Sequence, residues 1–222
     1  MSQARYLQAM GVSVWKSRRN LPFAKQVLVE AVDEPEESWD LLQQQVSNCT
    51  VCKLHESRTN TVFGVGDPQA DWLIVGEAPS ADEDQKGEPF VGRAGLLLNQ
   101  MLLAIGLSRE DVFIANILKC HPPSNRGPSV DEVASCASFL TRQITLIQPK
   151  IILAVGRIAA QNLLHSKETI GCIRGSVYQH DETSTPLVAT YHPAYLLRSP
   201  TEKRKAWADL ILAKRTQMAA RD

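Results

Sequence analysis

Three short apolar runs govern what this chain can fold into: WLIV (72–75), VFIAN (112–116) and KIILAV (150–155). Each is strand-length and rich in aliphatic residues, and the first and third run directly into a glycine, Gly76 and Gly156. Runs of this kind read as strands buried on both faces. Helical patterns lie between and after them. Residues 93–105 (RAGLLLNQMLLAI) read as a helix with Gly106 as its C′ residue. Ser129 with Glu132 three residues on is a capping box, opening a helix to about Ile147, just before Pro149. A further helix covers 157–164. VYQ (177–179) and LVAT (187–190) bracket a polar turn as a closing strand pair, and a final helix spans about 201–217. Strands alternating with helices imply a mainly parallel sheet covered on both faces, a three-layer α/β/α sandwich. Ligands of such sheets bind beyond the carboxyl ends of the strands. The polar stretches GEAPSADED (76–84), NILKCHPPSNR (116–126) and YHPAYLLR (191–198) fall at those ends, which predicts a cleft built from three loops.

The chain upstream of this pattern is different. In residues 1–32, Leu7, Met10, Val14 and Trp15 fall on one side of a short helical pattern that Gly11 and Val12 weaken. DEPEES (33–38) is acidic and contains no apolar residue, so it reads as a linker whose Ser38 caps a helix over Trp39–Val46. The division is therefore an arm (1–32), a linker (33–38) and an α/β domain (39–222). Hydrophobic content of 44% and charged content of 22% suit a globular protein. No apolar run approaches the ~18 residues of a membrane helix, and no secretion signal is legible, so a cytoplasmic protein without a membrane partner is expected. Twenty-four basic residues balance 24 acidic ones, so bulk charge gives no support for nucleic-acid binding. Basic residues do cluster locally, at Lys16, Arg18 and Arg19 and again at Arg198, Lys203, Arg204 and Lys205.

The five cysteines are odd in number, which argues against a disulfide framework. Cys49 and Cys52 form C-x-x-C in a polar loop, and Cys120 and Cys136 follow. Two thiolates at that spacing and two more downstream can close a four-thiolate site for zinc or for an iron–sulfur cluster, and spacing does not separate the two. Cys172 reads as an ordinary buried thiol.

The motifs GEAPSADED-x-x-GEPFVGRAGLLL (76–98), NILKCHPPSNRGP (116–128), AVGRIAAQNLL (154–164) and HPAYLLRSP (192–200) together resemble the family 4 uracil-DNA glycosylases, in order and at that family's spacing. The resemblance implies a [4Fe-4S] cluster on Cys49, Cys52, Cys120 and Cys136. It implies that uracil in single- or double-stranded DNA is flipped out of the stack and removed by hydrolysis in base-excision repair. Phe90 matches the residue on which uracil stacks. Asn116 matches the amide that pairs with the uracil edge, a task that needs one donor and one acceptor. His192 matches the contact to uracil O2, stabilising charge as the base leaves. Glu77 matches a carboxylate that activates water or stabilises an oxocarbenium-like sugar. Gly76 and Ser80 belong with the substrate-binding residues, and Asn125, Leu196, Leu197 and Arg198 with the DNA contacts, the last three filling the gap left by the base and holding phosphate.

Two positions depart from the family pattern. Ser80 stands where a glycine is usual, a residue that permits close backbone approach or a φ that Ser tolerates poorly. His121 stands where Arg is common and removes a fixed charge for phosphate. The arm carries a second resemblance. Leu7, Gln8, Gly11, Val12, Trp15 and Arg18 resemble the N-terminal peptide of the psi subunit of bacterial DNA polymerase III. That likeness implies a contact with the clamp loader, made by Leu7, Val12, Trp15 and Arg18 as a peptide anchor. Two functions follow as expectations. One is a working glycosylase, tethered to the replisome. The other is a weak or inactive glycosylase fold serving as a psi-like clamp-loader subunit that bridges to the chi subunit and single-strand binding protein.

Overall fold

The computed structural model describes residues 38–219. The arm, with Leu7, Val12, Trp15 and Arg18, and all of the acidic linker but Ser38 lie outside the described residues.

The chain begins with α1 (Trp39–Ser47), capped by Ser38, whose hydroxyl accepts the Leu41 N–H at 3.2 Å. Next come β1 (Val65–Gly66), β2 (Trp72–Gly76), the short α2 (Ala81–Lys86) and α3 (Arg93–Ala104). Then follow β3 (Phe113–Asn116), α4 (Val130–Ile147), β4 (Ile151–Val155), α5 (Arg157–Leu163) and α6 (Ile170–Ile173). The chain closes with β5 (Val177–Gln179), β6 (Pro186–Thr190), α7 (Pro193–Arg198) and α8 (Lys203–Ala219). The six strands form one sheet in the order β1-β3-β2-β4-β6-β5. The inner four are parallel, and each edge strand is antiparallel to its neighbour.

Alternate strand residues enter different cores, the period of 2 that a two-faced sheet imposes. Leu73, Val75, Phe113, Ala115, Ile152 and Ala154 join one apolar cluster with residues of α1, α4 and α5. Trp72, Ile74, Ile114, Ile151, Leu153 and Val155 join the other with residues of α3, α7 and α8. Full burial of each Leu or Ile stabilises the fold by on the order of 2 kcal/mol. These are the two outer layers of an α/β/α sandwich. Helix ends follow local chemistry. Ser129 and Glu132 make the reciprocal capping box at the start of α4. At the end of α3, Gly106 donates to Leu103 O at 2.9 Å and Leu107 to Leu102 O at 3.1 Å, a Schellman closure.

The fold exceeds the sequence reading in small elements. β1 is two residues long and contains Gly66, too little for a periodic signal. Residues 193–198, read as a loop, form α7, started by Pro193 at N1. Among the described residues no helix is long and apolar enough to cross a membrane.

Candidate active site and cysteine centre

β2 and β3 end side by side, with Gly76 paired to Asn116. The Asn116 amide lies against Gly76 so closely that a Cβ there would stand 2.3 Å from its Oδ1 and 2.7 Å from Cζ of Phe90. Only a glycine lets the amide and the ring meet at that point. Asn116 is 1% exposed, and its Nδ2 has no hydrogen-bond partner among the described residues. An unmet buried donor costs about 1–3 kcal/mol.

Phe90 has φ +54, a left-handed conformation that costs an aromatic residue on the order of 1–2 kcal/mol. Its main chain is held from three sides. Its N–H donates to Glu83 Oε1 at 2.7 Å, and the other Glu83 oxygen accepts the Ser80 N–H at 2.9 Å. Arg109 donates to the carbonyls of Pro89 and Phe90 and to Asn99 Oδ1. Gly95 of α3 runs under the Phe90 carbonyl, where a Cβ would fall 1.7 Å from the oxygen. Burial pushes the Glu83 carboxyl above its usual range, while the Ser80 and Phe90 donors act against that rise.

The Phe90 ring stacks on His192, with centroids 5.7 Å apart and planes at 28°. His192 follows β6 and caps α7, its Nδ1 accepting the Ala194 N–H at 3.1 Å. That contact assigns the proton of the neutral imidazole to Nε2. Burial, reinforced by the positive Arg198, pushes the imidazole down to about 4. His192 is half-buried and lines a cleft of ≈ 810 Å³.

Glu77, Ser80, Asn125, Arg157, Tyr191, Tyr195 and Arg198 also line this cleft. The three loops expected to converge do so, joined by the turn after β4. Burial raises Glu77 above the ordinary carboxylate range, and the Arg157 charge opposes the rise. Gly76, Phe90 and Asn116 therefore form one buried group, with His192 half-buried against the Phe90 ring. Glu77, Ser80, Asn125 and Arg198 border the adjoining cleft, and His192 belongs to both. A second cavity of ≈ 460 Å³, beside α4 and α5, contains none of the expected site residues.

Several expectations are corrected. Ser80 is not strained: its φ of −82 and ψ of 173 are ordinary for a helix N-cap, the role it takes before α2. His121 Nε2 lies 3.0 Å from Asn125 Oδ1, which also accepts the Ala81 N–H at 3.3 Å, so the histidine braces the loop. Leu196 does not face outward. It is 1% exposed and packs in the core with α3 and α8, because α7 turns it inward. Leu197 is 37% exposed and Arg198 is exposed, and these are the outward side chains of the expected trio. Cys172 is not the buried thiol expected: it is exposed on α6, a one-turn helix at the surface.

Cys49 and Cys52 are half-buried in the turn after α1, and Cys120 and Cys136 are buried. Charges on these thiols act on one another: Cys49 and Cys52 on Cys120, Cys49 and Cys120 on Cys136. Arg58 Nη1 donates to Cys120 Sγ at 3.1 Å, and the Lys119 backbone N–H donates to Cys136 Sγ at 3.3 Å. Burial pushes the Cys120 thiol up and the Cys136 thiol up to about 11, with Lys119 drawing Cys136 down. Among the described residues no three His, Cys, Asp or Glu are arranged to hold a single metal ion. Four thiols from three segments, with N–H donors directed at two sulfurs, fit the thiolate ligation and hydrogen bonding of an iron–sulfur cluster.

The sequence reading passed over Glu83, Arg109, Lys119 and Arg157. Glu83 was legible as the last residue of the S-x-x-E box at Ser80. Arg109 reaches Phe90, 19 positions away, and Lys119 reaches Gln143, 24 positions away, contacts that no local pattern encodes.

The family model of the uracil DNA glycosylase superfamily matches residues 63–212. The chain is 44% identical over 179 residues to a type-4 uracil-DNA glycosylase of Archaeoglobus fulgidus, covering 78% of this chain and 90% of that protein. A type-4 uracil-DNA glycosylase of Pyrobaculum aerophilum is 41% identical over 177 residues, 77% of this chain and 90% of its own. One from Thermotoga maritima is 42% identical over 165 residues, 74% and 85% of the two chains.

Proposed function

The chain belongs to the uracil-DNA glycosylase superfamily, and on that premise we propose that it flips uracil from DNA and hydrolyses the bond between base and sugar. The observation that carries this reading is the buried, unpartnered Asn116 amide held beside the Phe90 ring. Uracil supplies an O4 acceptor for the unpartnered Nδ2, an N3–H donor for Oδ1, and a flat face for Phe90. As the N-glycosidic bond breaks, its electron pair moves onto the uracil ring and O2. The Nε2–H of a neutral His192 donates to that oxygen, a hydrogen bond that strengthens as charge develops. Glu77, as carboxylate, orients water toward the sugar carbon and takes its proton, leaving an abasic sugar and a uracil anion that is protonated from solvent as Glu77 gives its proton back. Leu197 and Arg198 occupy the gap in the stack and the neighbouring phosphate. Cys49, Cys52, Cys120 and Cys136 hold a [4Fe-4S] cluster, which supplies a rigid cross-link among three chain segments.

Release of uracil from a uracil-containing oligonucleotide by the purified, iron-loaded protein is the test. An iron-loaded protein that releases no uracil would sink the reading. For the arm, the sequence alone supports a clamp-loader contact, and a pull-down lost on Trp15→Ala is its test. The alternative of an inactive psi-like subunit that also engages chi draws no support from Ser80, whose backbone is relaxed.

A further inference from the structure

Lys119 is a lysine in the wrong place for a surface residue. It is 1% exposed, between β3 and α4. Its Nζ donates to Asn116 O at 3.0 Å and to Gln143 Oε1 at 2.6 Å. Gln143 is itself fixed, its Nε2 donating to Phe63 O at 3.0 Å. The Lys119 backbone is anchored as well: its N–H donates to Cys136 Sγ at 3.3 Å, and its carbonyl accepts the Val62 N–H at 2.8 Å. Both Nζ contacts are neutral oxygens, and among the described residues no carboxylate pairs with the ammonium. Cys120 is its neighbour in sequence and Cys136 Sγ accepts its N–H, so two of the four thiols flank the residue. A buried ammonium without an anion is costly enough that proteins pair it or give it up.

We propose that Lys119 is the internal counter-charge of the cysteine centre and the strut that fixes Asn116 relative to it. The idea rests on the cluster reading above and not on base removal. Four thiolates around an iron–sulfur core leave a net negative charge, so the centre supplies the anion that the lysine lacks. The same ammonium holds the carbonyl of Asn116, whose side chain reads the base edge. One side chain thus joins a charge on the α4 side of the sheet to the pocket at its carboxyl edge. It is a positioning residue, since it touches no substrate atom.

The test reads the midpoint potential of the cluster in full-length, iron-loaded protein by electrochemistry, alongside uracil release. Lys119→Met removes the charge and nearly keeps the volume. It shifts the potential to more negative values, because a nearby positive charge favours the reduced, more negative cluster. The uracil-release kcat falls about tenfold or more while KM changes little, as expected of lost positioning. Lys119→Arg restores much of the potential. Gln143→Glu places a carboxylate against the ammonium in a nearly isosteric frame, competes with the cluster for it, and shifts the potential in the same direction. A Lys119→Met protein that loads no cluster while Lys119→Arg loads one also supports the charge role. Cluster-loaded Lys119→Met and Gln143→Glu proteins with the wild-type potential overturn it, as does equal failure of the Met and Arg variants to load. A colourless wild-type protein would instead remove the cluster reading.

Discussion

Gly76 is where a single atom decides the site. An added methyl meets the Asn116 oxygen at 2.3 Å and the Phe90 ring at 2.7 Å, both side-chain atoms that can swing aside. Gly76→Ala therefore leaves the fold intact and displaces the reading amide, with kcat for uracil release down about 100-fold. Asn116→Ala alone gives a comparable loss, and the double variant adds little to either, because both disturb one contact. Additive losses would show that Gly76 acts elsewhere. His192 makes the second residue-scale prediction. An imidazole in the unfolded chain titrates near 6.5, and this one titrates at about 4 when folded. Between those values the unfolded chain binds a proton that the folded chain does not, so acidification from 6.5 toward 4 favours unfolding. Above 6.5 the group is neutral in both states and adds no pH dependence. His192→Gln should accordingly flatten the fall in Tm across pH 6.5 to 4, followed by thermal melts of both proteins. An unchanged slope would mean that the imidazole is protonated in the folded state.

At the scale of elements, α2 and α3 act as a clamp on the strained Phe90 between them. Glu83 closes the cap of α2 with one oxygen and holds the Phe90 N–H with the other. Glu83→Gln turns an amide N–H₂ toward one of those donors, and an unmet buried N–H costs about 1–3 kcal/mol. The prediction is a loss of both stability and kcat, the latter by about 10- to 100-fold, read by denaturant unfolding and uracil release. Asp84 is the control on the same helix: it is 4% exposed and accepts the Thr59 and Asn60 N–H groups, away from Phe90. Asp84→Asn should cost stability and spare kcat. Equal kcat losses in both variants would reduce the clamp to generic stability. The long elements of the fold were legible because each has a period and a local stop signal: apolar runs into Gly76 and Gly156, a capping box at Ser129, a C′ glycine at 106. The grouping of Asn116, Phe90 and His192 at one sheet edge was reachable through their motifs. Glu83 was legible as the end of its capping box, but its hold on Phe90, the Arg109 contact to Phe90 and the Lys119 contact to Gln143 were not, because no local pattern encodes them. Leu196 was misread because α7, six residues long and too short to carry a period, sets which way it points.

Across the whole molecule, the sheet separates two cores, and only one of them contains the cysteines. Cys120 and Cys136 belong to the cluster built from α1, α4 and α5, and Cys49 and Cys52 pack against it. The opposite core of α3, α7 and α8 contains no cysteine. A centre that cross-links residues 49–52, 120 and 136 restricts the unfolded chain over long loops, a restraint that grows with loop length. Its removal must therefore weaken the two faces unequally. Without iron, burial keeps the thiols of Cys120 and Cys136 protonated, and the apolar cluster shared by α1 and α4 is what packs the two together. Hydrogen exchange on holo protein and on protein stripped by a chelator under reducing conditions tests this. Amides of α1 and of the first half of α4 should lose protection by about tenfold or more, while those of α3 and α8 keep theirs. Asn116 sits at the boundary, fixed through Lys119 from the weakened side, so its amide should follow α4 and not α3. Uniform loss over both faces would mean that the two cores unfold as one unit, and that the cysteine centre stabilises the molecule globally without setting the local order of the reading strand.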